Sequence, residues 1–168
     1  MTTMYYEYLS TPIGRLLLAG DERGLARLEF DNPRQGRGIA DWKRDGAPLA
    51  TAMQQLQAYF AGELLDFHLA LRPQGTDFQR AVWDQLAQIP YGETWSYGQI
   101  AKRLDRPDAS RAVGAANGAN PIPVILPCHR VIGSNGALTG FGGGLPTKRW
   151  LLDHERRYAP VPGFVLEA

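Results

Sequence analysis

Cysteine is almost absent from this chain, which has one in 168 residues, Cys128. A single thiol excludes an internal disulfide and a cysteine-based zinc site. Histidine is also scarce: His68, His129 and His154 are scattered, without metal-ligand spacing. We therefore expect a reducing, cytoplasmic setting, no metal and no cofactor. No apolar run approaches the ~18 residues needed to cross a bilayer, so no membrane partner is expected. The N-terminus has no basic start and no apolar stretch, and so reads as no signal peptide. Charge of one sign is lacking too, with a formal net charge of +1. The second half is mildly basic, which permits a polyanionic partner without demanding one.

What is present suits a soluble globular protein: 44% hydrophobic and 21% charged residues. Tyr5-Tyr-Glu-Tyr-Leu9, Arg15-Leu-Leu-Leu-Ala19 and Leu25-Ala-Arg-Leu-Glu-Phe30 read as short strands. The Pro- and Gly-bearing gaps between them predict an antiparallel meander. Residues 31–48 are rich in Gly, Pro and charge and read as a mobile loop. Met53, Leu56, Tyr59 and Phe60 share a helical face, and Gly62 ends that helix. Phe67 to Leu71 reads as a further strand. Arg72-Pro-Gln-Gly75 reads as a linker, dividing the chain into residues 1–73 and 74–168.

The second unit opens on Thr76-Asp-Phe-Gln79, a capping box, with Phe78, Val82, Leu86 and Ile89 following at helical spacing. Ser96-Tyr-Gly-Gln99 is a second capping box. Asp105-Arg-Pro-Asp108 is a turn, with Asp108 placed to cap a third helix over 109–117. Two short helices and a turn suggest a helix-turn-helix, although such pairs also occur away from DNA. The third helix is almost entirely Ala, Gly, Ser and Val, with one long cation, Arg111. A major-groove reader carries Arg, Asn or Gln to reach base edges. This helix suits close approach, in a minor groove or against another helix.

Residues 120–133 carry the chemistry. Val124-Ile-Leu126 reads as a short buried strand, and Pro121, Pro123 and Pro127 stiffen the backbone around Cys128. His129 is placed to take the thiol proton, through a water given the divergence of adjacent side chains. Arg130 adds positive charge. On a lone Cys-His pair, an inert buried cysteine is the favoured reading.

Taken together, Pro-Cys-His-Arg-Val-Ile-Gly, the Asn-Pro-x-Pro segment, Tyr97, Arg111 and Gly142-Gly-Gly-Leu…Arg-Trp-Leu-Leu-x-His-Glu155 closely resemble the O6-alkylguanine-DNA alkyltransferases. The match is strong from about Thr76 to Glu155. The resemblance implies an α/β (α+β) two-part fold. A small antiparallel sheet plus helix, ribonuclease H-like, precedes a mainly helical domain with a helix-turn-helix. It implies that Cys128 takes the alkyl group from a flipped O6-alkylguanine in double-stranded DNA, with O4-alkylthymine as a possible second substrate. It makes His129 the general base, acting through a water. Glu155 orients that histidine, and Asn120 holds the turn geometry.

For the DNA the resemblance names Tyr97, which crowds the 3′ phosphate and protonates guanine N3. Arg111 fills the vacated stack. Ser110 and Gly114 belong to the same helix, and Ser134 is a backbone contact. Val131 and Phe141 line the base pocket. The thioether product is not cleaved by water, so each molecule reacts once, as a monomer. The family commonly has Tyr where this chain has Phe141, which removes one hydroxyl. The N-terminal zinc set of some members is missing. A cysteine-less lesion binder, a transcription regulator and a cysteine hydrolase are the competing readings. Cys128 argues against the first, and the small-residue helix against the second. Nothing in the sequence specifies the oxyanion hole required by the third.

Overall fold

A computed structural model describes residues 3–30 and 41–160. Three strands open the chain: β1 (Tyr5–Thr11), β2 (Gly14–Asp21) and β3 (Gly24–Phe30). Gly14 and Gly24 take φ of +104° and +145° in the intervening turns, where a side chain would be strained. The sheet is antiparallel across β1–β2–β3, and a short strand at Lys43–Arg44, β4, completes the order β3-β2-β1-β4. β4 runs parallel to β1, so part of the segment expected to be a loop is an edge strand. The remainder of that segment, residues 31–40, lies outside the described residues.

Helix α1 (Ala50–Phe60) packs against β1, and its Leu56 and Tyr59 are fully buried in the same hydrophobic cluster as Leu16, Leu18 and Leu28. Each such leucine contributes roughly 2 kcal/mol by leaving water. Gly62, at φ +79°, closes α1 while the Glu63 amide donates to the Ala58 carbonyl at 2.9 Å. The strand expected over 67–71 does not form. Only Leu71 bridges to Leu25, because flanking Ala70 and Arg72 bond the Leu25 backbone and nothing extends the ladder.

The C-terminal part is helical: α2 (Asp77–Leu86), α3 (Tyr97–Arg103), α4 (Ser110–Gly118) and α5 (Leu145–Tyr158). Both expected capping boxes form, Thr76 with Gln79 and Ser96 with Gln99. The expected Asp108 cap does not: Ala109 is the residue before α4, and no side chain caps it. Trp83 ties α2 to α4, its indole N–H donating to the Ala116 carbonyl at 2.8 Å. α3 and α4 pack together across the turn at 104–109, so the helix, turn and helix read from the sequence are present.

Two short connections bring the chemistry-bearing segment onto this frame. β5 (Trp95–Ser96) pairs in parallel with β6 (Val131–Ile132), which joins the start of α3 to the residues just after Cys128. The Leu28 amide of edge strand β3 donates to the Pro121 carbonyl at 2.9 Å, joining the first sheet to the segment before it. One hydrophobic cluster runs from Leu9 to Leu151 and spans both parts of the chain.

Candidate active site

The approach to Cys128 is a turn and not the strand expected over 124–126. Pro121 and Pro123 withhold two amides from any ladder, and Val124 sits at φ +74°. That region is costly for a β-branched side chain, so the surrounding packing holds the strain. Asn120 fastens the turn from inside. Its amide nitrogen donates to the Leu126 carbonyl at 2.7 Å, and its oxygen accepts from the Ile122 amide at 2.9 Å. Cys128 then begins a 3-10 turn, Cys128–Arg130.

Cys128 is 5% exposed and borders a cleft of about 480 Å³. β3 forms one wall through Leu28 and Phe30. Residues 117–121 and Pro123 line it on another side, and Phe141 with its neighbouring glycines forms the rim. Burial pushes the thiol up to about 11, against a hydrogen bond from Asn120 and the charge of Lys148.

His129 and Glu155 are both fully buried, and His129 Nε2 lies 2.6 Å from Glu155 Oε2. Burial pushes the imidazole below its ordinary value, and Glu155 pulls the other way. Burial alone would raise Glu155. Hydrogen bonds and charge from His129 and Arg130 instead hold it well below the usual carboxylate range. Glu155 is therefore an anion that fixes the imidazole through Nε2. The other ring nitrogen, Nδ1, is buried and has no hydrogen-bond partner among the described residues. That leaves Nδ1 as the atom able to accept a proton.

Arg130 does not supply the free charge beside the thiol that its sequence position suggests. Its guanidinium donates to Glu155 at 2.8 and 3.0 Å and to the Ile89 carbonyl at 2.6 Å. The cation facing the thiol is Lys148, fully buried, donating to the carbonyls of Val131 at 2.6 Å and Thr139 at 2.9 Å. Burial lowers its pKa, and the thiol's charge opposes that fall. Helical spacing carried the signal for it: Lys148, Leu151, Leu152 and Glu155 stand at i, i+3, i+4 and i+7, and all four are buried. Tyr59 and the Gly92 amide, donating to Glu155 at 2.6 and 3.2 Å, carry no such local signal.

The other sequence-derived residues fall into two groups. Tyr97 and Gly114 meet at the α3–α4 contact, where a Cβ on Gly114 would stand 3.7 Å from the Tyr97 ring. The Tyr97 hydroxyl bonds the Thr139 hydroxyl, next to the rim of the cleft. Ser110 is half-buried and Arg111 exposed on α4. Phe141 lines the cleft as expected, whereas Val131 is fully buried and does not line it, and Ser134 is exposed in the turn after β6. Among the described residues no group of three or more His, Cys, Asp or Glu could hold a metal.

A thiol at a cleft, an imidazole on the next residue with an unpartnered nitrogen, and an anion fixing that imidazole are the apparatus of a cysteine-dependent enzyme, mounted here on a two-part α/β frame. The family model described as "6-O-methylguanine DNA methyltransferase, ribonuclease-like domain" matches residues 4–73. Its companion, described as the DNA binding domain, matches residues 77–157. A methylated-DNA–protein-cysteine methyltransferase of Methanosarcina acetivorans is 52% identical over 153 residues, covering 90% of this chain and 98% of that one. One from Haemophilus influenzae is 42% identical, covering 93% and 88%. The crystal structure of Mycobacterium tuberculosis OGT in complex with DNA superposes with a TM-score of 0.85 at 49% identity, covering 93% of this chain and 95% of that one. The chain belongs to the O6-methylguanine DNA methyltransferase family, and its activity is that of a methylated-DNA–protein-cysteine methyltransferase in DNA repair.

Proposed function

We propose that this protein removes the alkyl group from O6-alkylguanine in duplex DNA and keeps it on Cys128, once per molecule. The observation carrying this reading is the juxtaposition of Cys128 at the cleft with the buried His129–Glu155 pair. The thiol proton passes to His129 Nδ1, through a water. The sulfur attacks the alkyl carbon, the S–C bond forms and the C–O6 bond breaks. The electron pair left on guanine is met by a proton, with Tyr97 as donor at N3. The proton held on His129 then returns through water to the Tyr97 oxygen, so that overall the thiol loses a proton, guanine gains one and sulfur gains the alkyl group. A thioether is not hydrolysed under these conditions, so the reaction is stoichiometric.

An O6-alkyl carbon inside the stack is out of reach of a buried thiol, so the nucleotide must rotate out. Small residues on α4, with Ser110 and Gly114 among them, suit the narrow minor groove, and Arg111 on the exposed side fills the vacated position. Tyr97 crowds the phosphate that must turn, and Ser134 contacts the backbone. Phe141 stacks on the extruded base. Asn120 keeps the thiol's turn in shape. The working units are residues 1–73 and 74–168, acting as a monomer in the cytoplasm. O4-alkylthymine is a second substrate of the same chemistry.

The test is to incubate the protein with a duplex carrying O6-methylguanine and weigh the peptide containing Cys128. One added methyl, guanine restored and no turnover support the reading, and an unmodified Cys128 refutes it. A parallel duplex with O4-methylthymine reads the second substrate.

A further inference from the structure

The N-terminal part reaches the buried carboxylate directly. Tyr59 of α1 is fully buried, and its hydroxyl donates to Glu155 Oε2 at 2.6 Å. That same oxygen lies 2.6 Å from His129 Nε2 and accepts from Arg130 Nη2 at 3.0 Å. The ring is held from several sides. Phe60 and Tyr91 meet it edge-on, Phe67 and His154 are tilted against it, and its backbone carbonyl bonds His154 Nε2. A side chain clamped this way keeps its hydroxyl on one target. Burial first, then the charge of Glu155, push the phenol well above its ordinary value of 10.0, so it stays a donor through the working range.

We infer that Tyr59 is a positioning residue for alkyl transfer, contributed by the N-terminal domain, which sets how strongly Glu155 draws on His129. The inference rests on the reading of His129 as the proton acceptor. A hydrogen bond donated to a carboxylate stabilises its charged form. Without the Tyr59 hydroxyl, Glu155 becomes more basic, and an imidazolium paired with it holds its proton more firmly. The pH at which His129 becomes a free base then rises. The other groups bearing on this centre remain: Arg130 on Glu155, Tyr91 beside both, and Lys148 acting on His129.

Tyr59→Phe removes the hydroxyl and keeps the ring. Two pH profiles read its effect: methyl transfer from an O6-methylguanine duplex, and alkylation of Cys128 by a small haloacetamide. In both, the midpoint of the acid limb should rise by about half a unit or more. In a His129→Gln background the same change should leave the haloacetamide profile unmoved, because the ring that transmits it is gone. An unmoved midpoint in Tyr59→Phe overturns the inference, even if thermal stability falls. A shift that persists in His129→Gln overturns it as well. Failure of the O6-methylguanine duplex to alkylate wild-type Cys128 would refute the substrate assignment separately, and the haloacetamide profile would still decide the role of Tyr59.

Discussion

The Phe30 ring stands edge-on to Phe141, centroids 5.6 Å apart, at the cleft that Cys128 borders. Phe30 ends β3 of the N-terminal sheet, and Phe141 lies on the glycine-rich rim. The fit is close, since a Cβ on Gly143 would come within 2.8 Å of the Phe30 ring. The rim therefore rests on the N-terminal sheet, and with the cleft as the proposed alkyl pocket, the size of group it takes should depend on both. Phe30→Ala should raise the transfer rate of O6-benzylguanine relative to O6-methylguanine by roughly tenfold, the scale of relieving one steric contact in an apolar pocket. The ratio is measured by competing the two duplexes for Cys128. An unchanged ratio would show that β3 does not limit the pocket.

The buried thiol makes stability depend on pH. Its pKa is raised by burial from an ordinary 9.0 to about 11. The folded state thus holds the proton more tightly than the unfolded state. The associated stabilisation is fully present below pH ~9 and is lost as pH rises toward ~11, at most about 3 kcal/mol. Cys128→Ala should flatten this alkaline slope. Denaturant melts of both proteins between pH 7 and pH 11 check it, and parallel slopes would contradict it.

Lys148 should behave as a clamp and not as a surface cation. Its two carbonyl partners, on Val131 and Thr139, sit on either side of the turn after β6, and Thr139 also bonds Tyr97. Lys148→Met keeps the aliphatic stem and leaves both carbonyls without their donor. The expected cost is about 2–4 kcal/mol of stability. Cys128 should also react more slowly at neutral pH, because the charge that lowers its pKa is gone. Thermal melts and haloacetamide kinetics at one pH read the two effects. A wild-type alkylation rate would mean that Lys148 does not act on the thiol.

Local pattern carried much of this fold into the sequence. Turn glycines marked the meander, and two capping boxes marked α2 and α3, because both signals act within a few residues. The site was legible where a motif is contiguous, as in Cys128-His129-Arg130. It was not legible where the partner is remote. Tyr59 lies 96 positions before Glu155, and no local periodicity reports a contact at that range. The role of Arg130 is hidden for the same reason, since its charge is committed to a carboxylate 25 residues away. The apolar run at 124–126 resembles a strand in its burial alone. Three prolines and a left-handed valine decide it otherwise.

That valine gives the sharpest test of strain near the thiol. Val124 is 1% exposed at φ +74°, so its side chain contributes packing while its backbone is held in a costly region. Val124→Ala loses most of the packing and keeps most of the strain. Val124→Gly loses slightly more packing but relieves the strain, which is worth roughly 1–3 kcal/mol. Glycine should therefore be the less destabilising replacement, the reverse of the order found in ordinary buried positions. Urea melts of the two variants rank them directly. If alanine proves the milder change, the turn before Cys128 stores no strain, and its rigidity comes from Asn120 and the prolines alone.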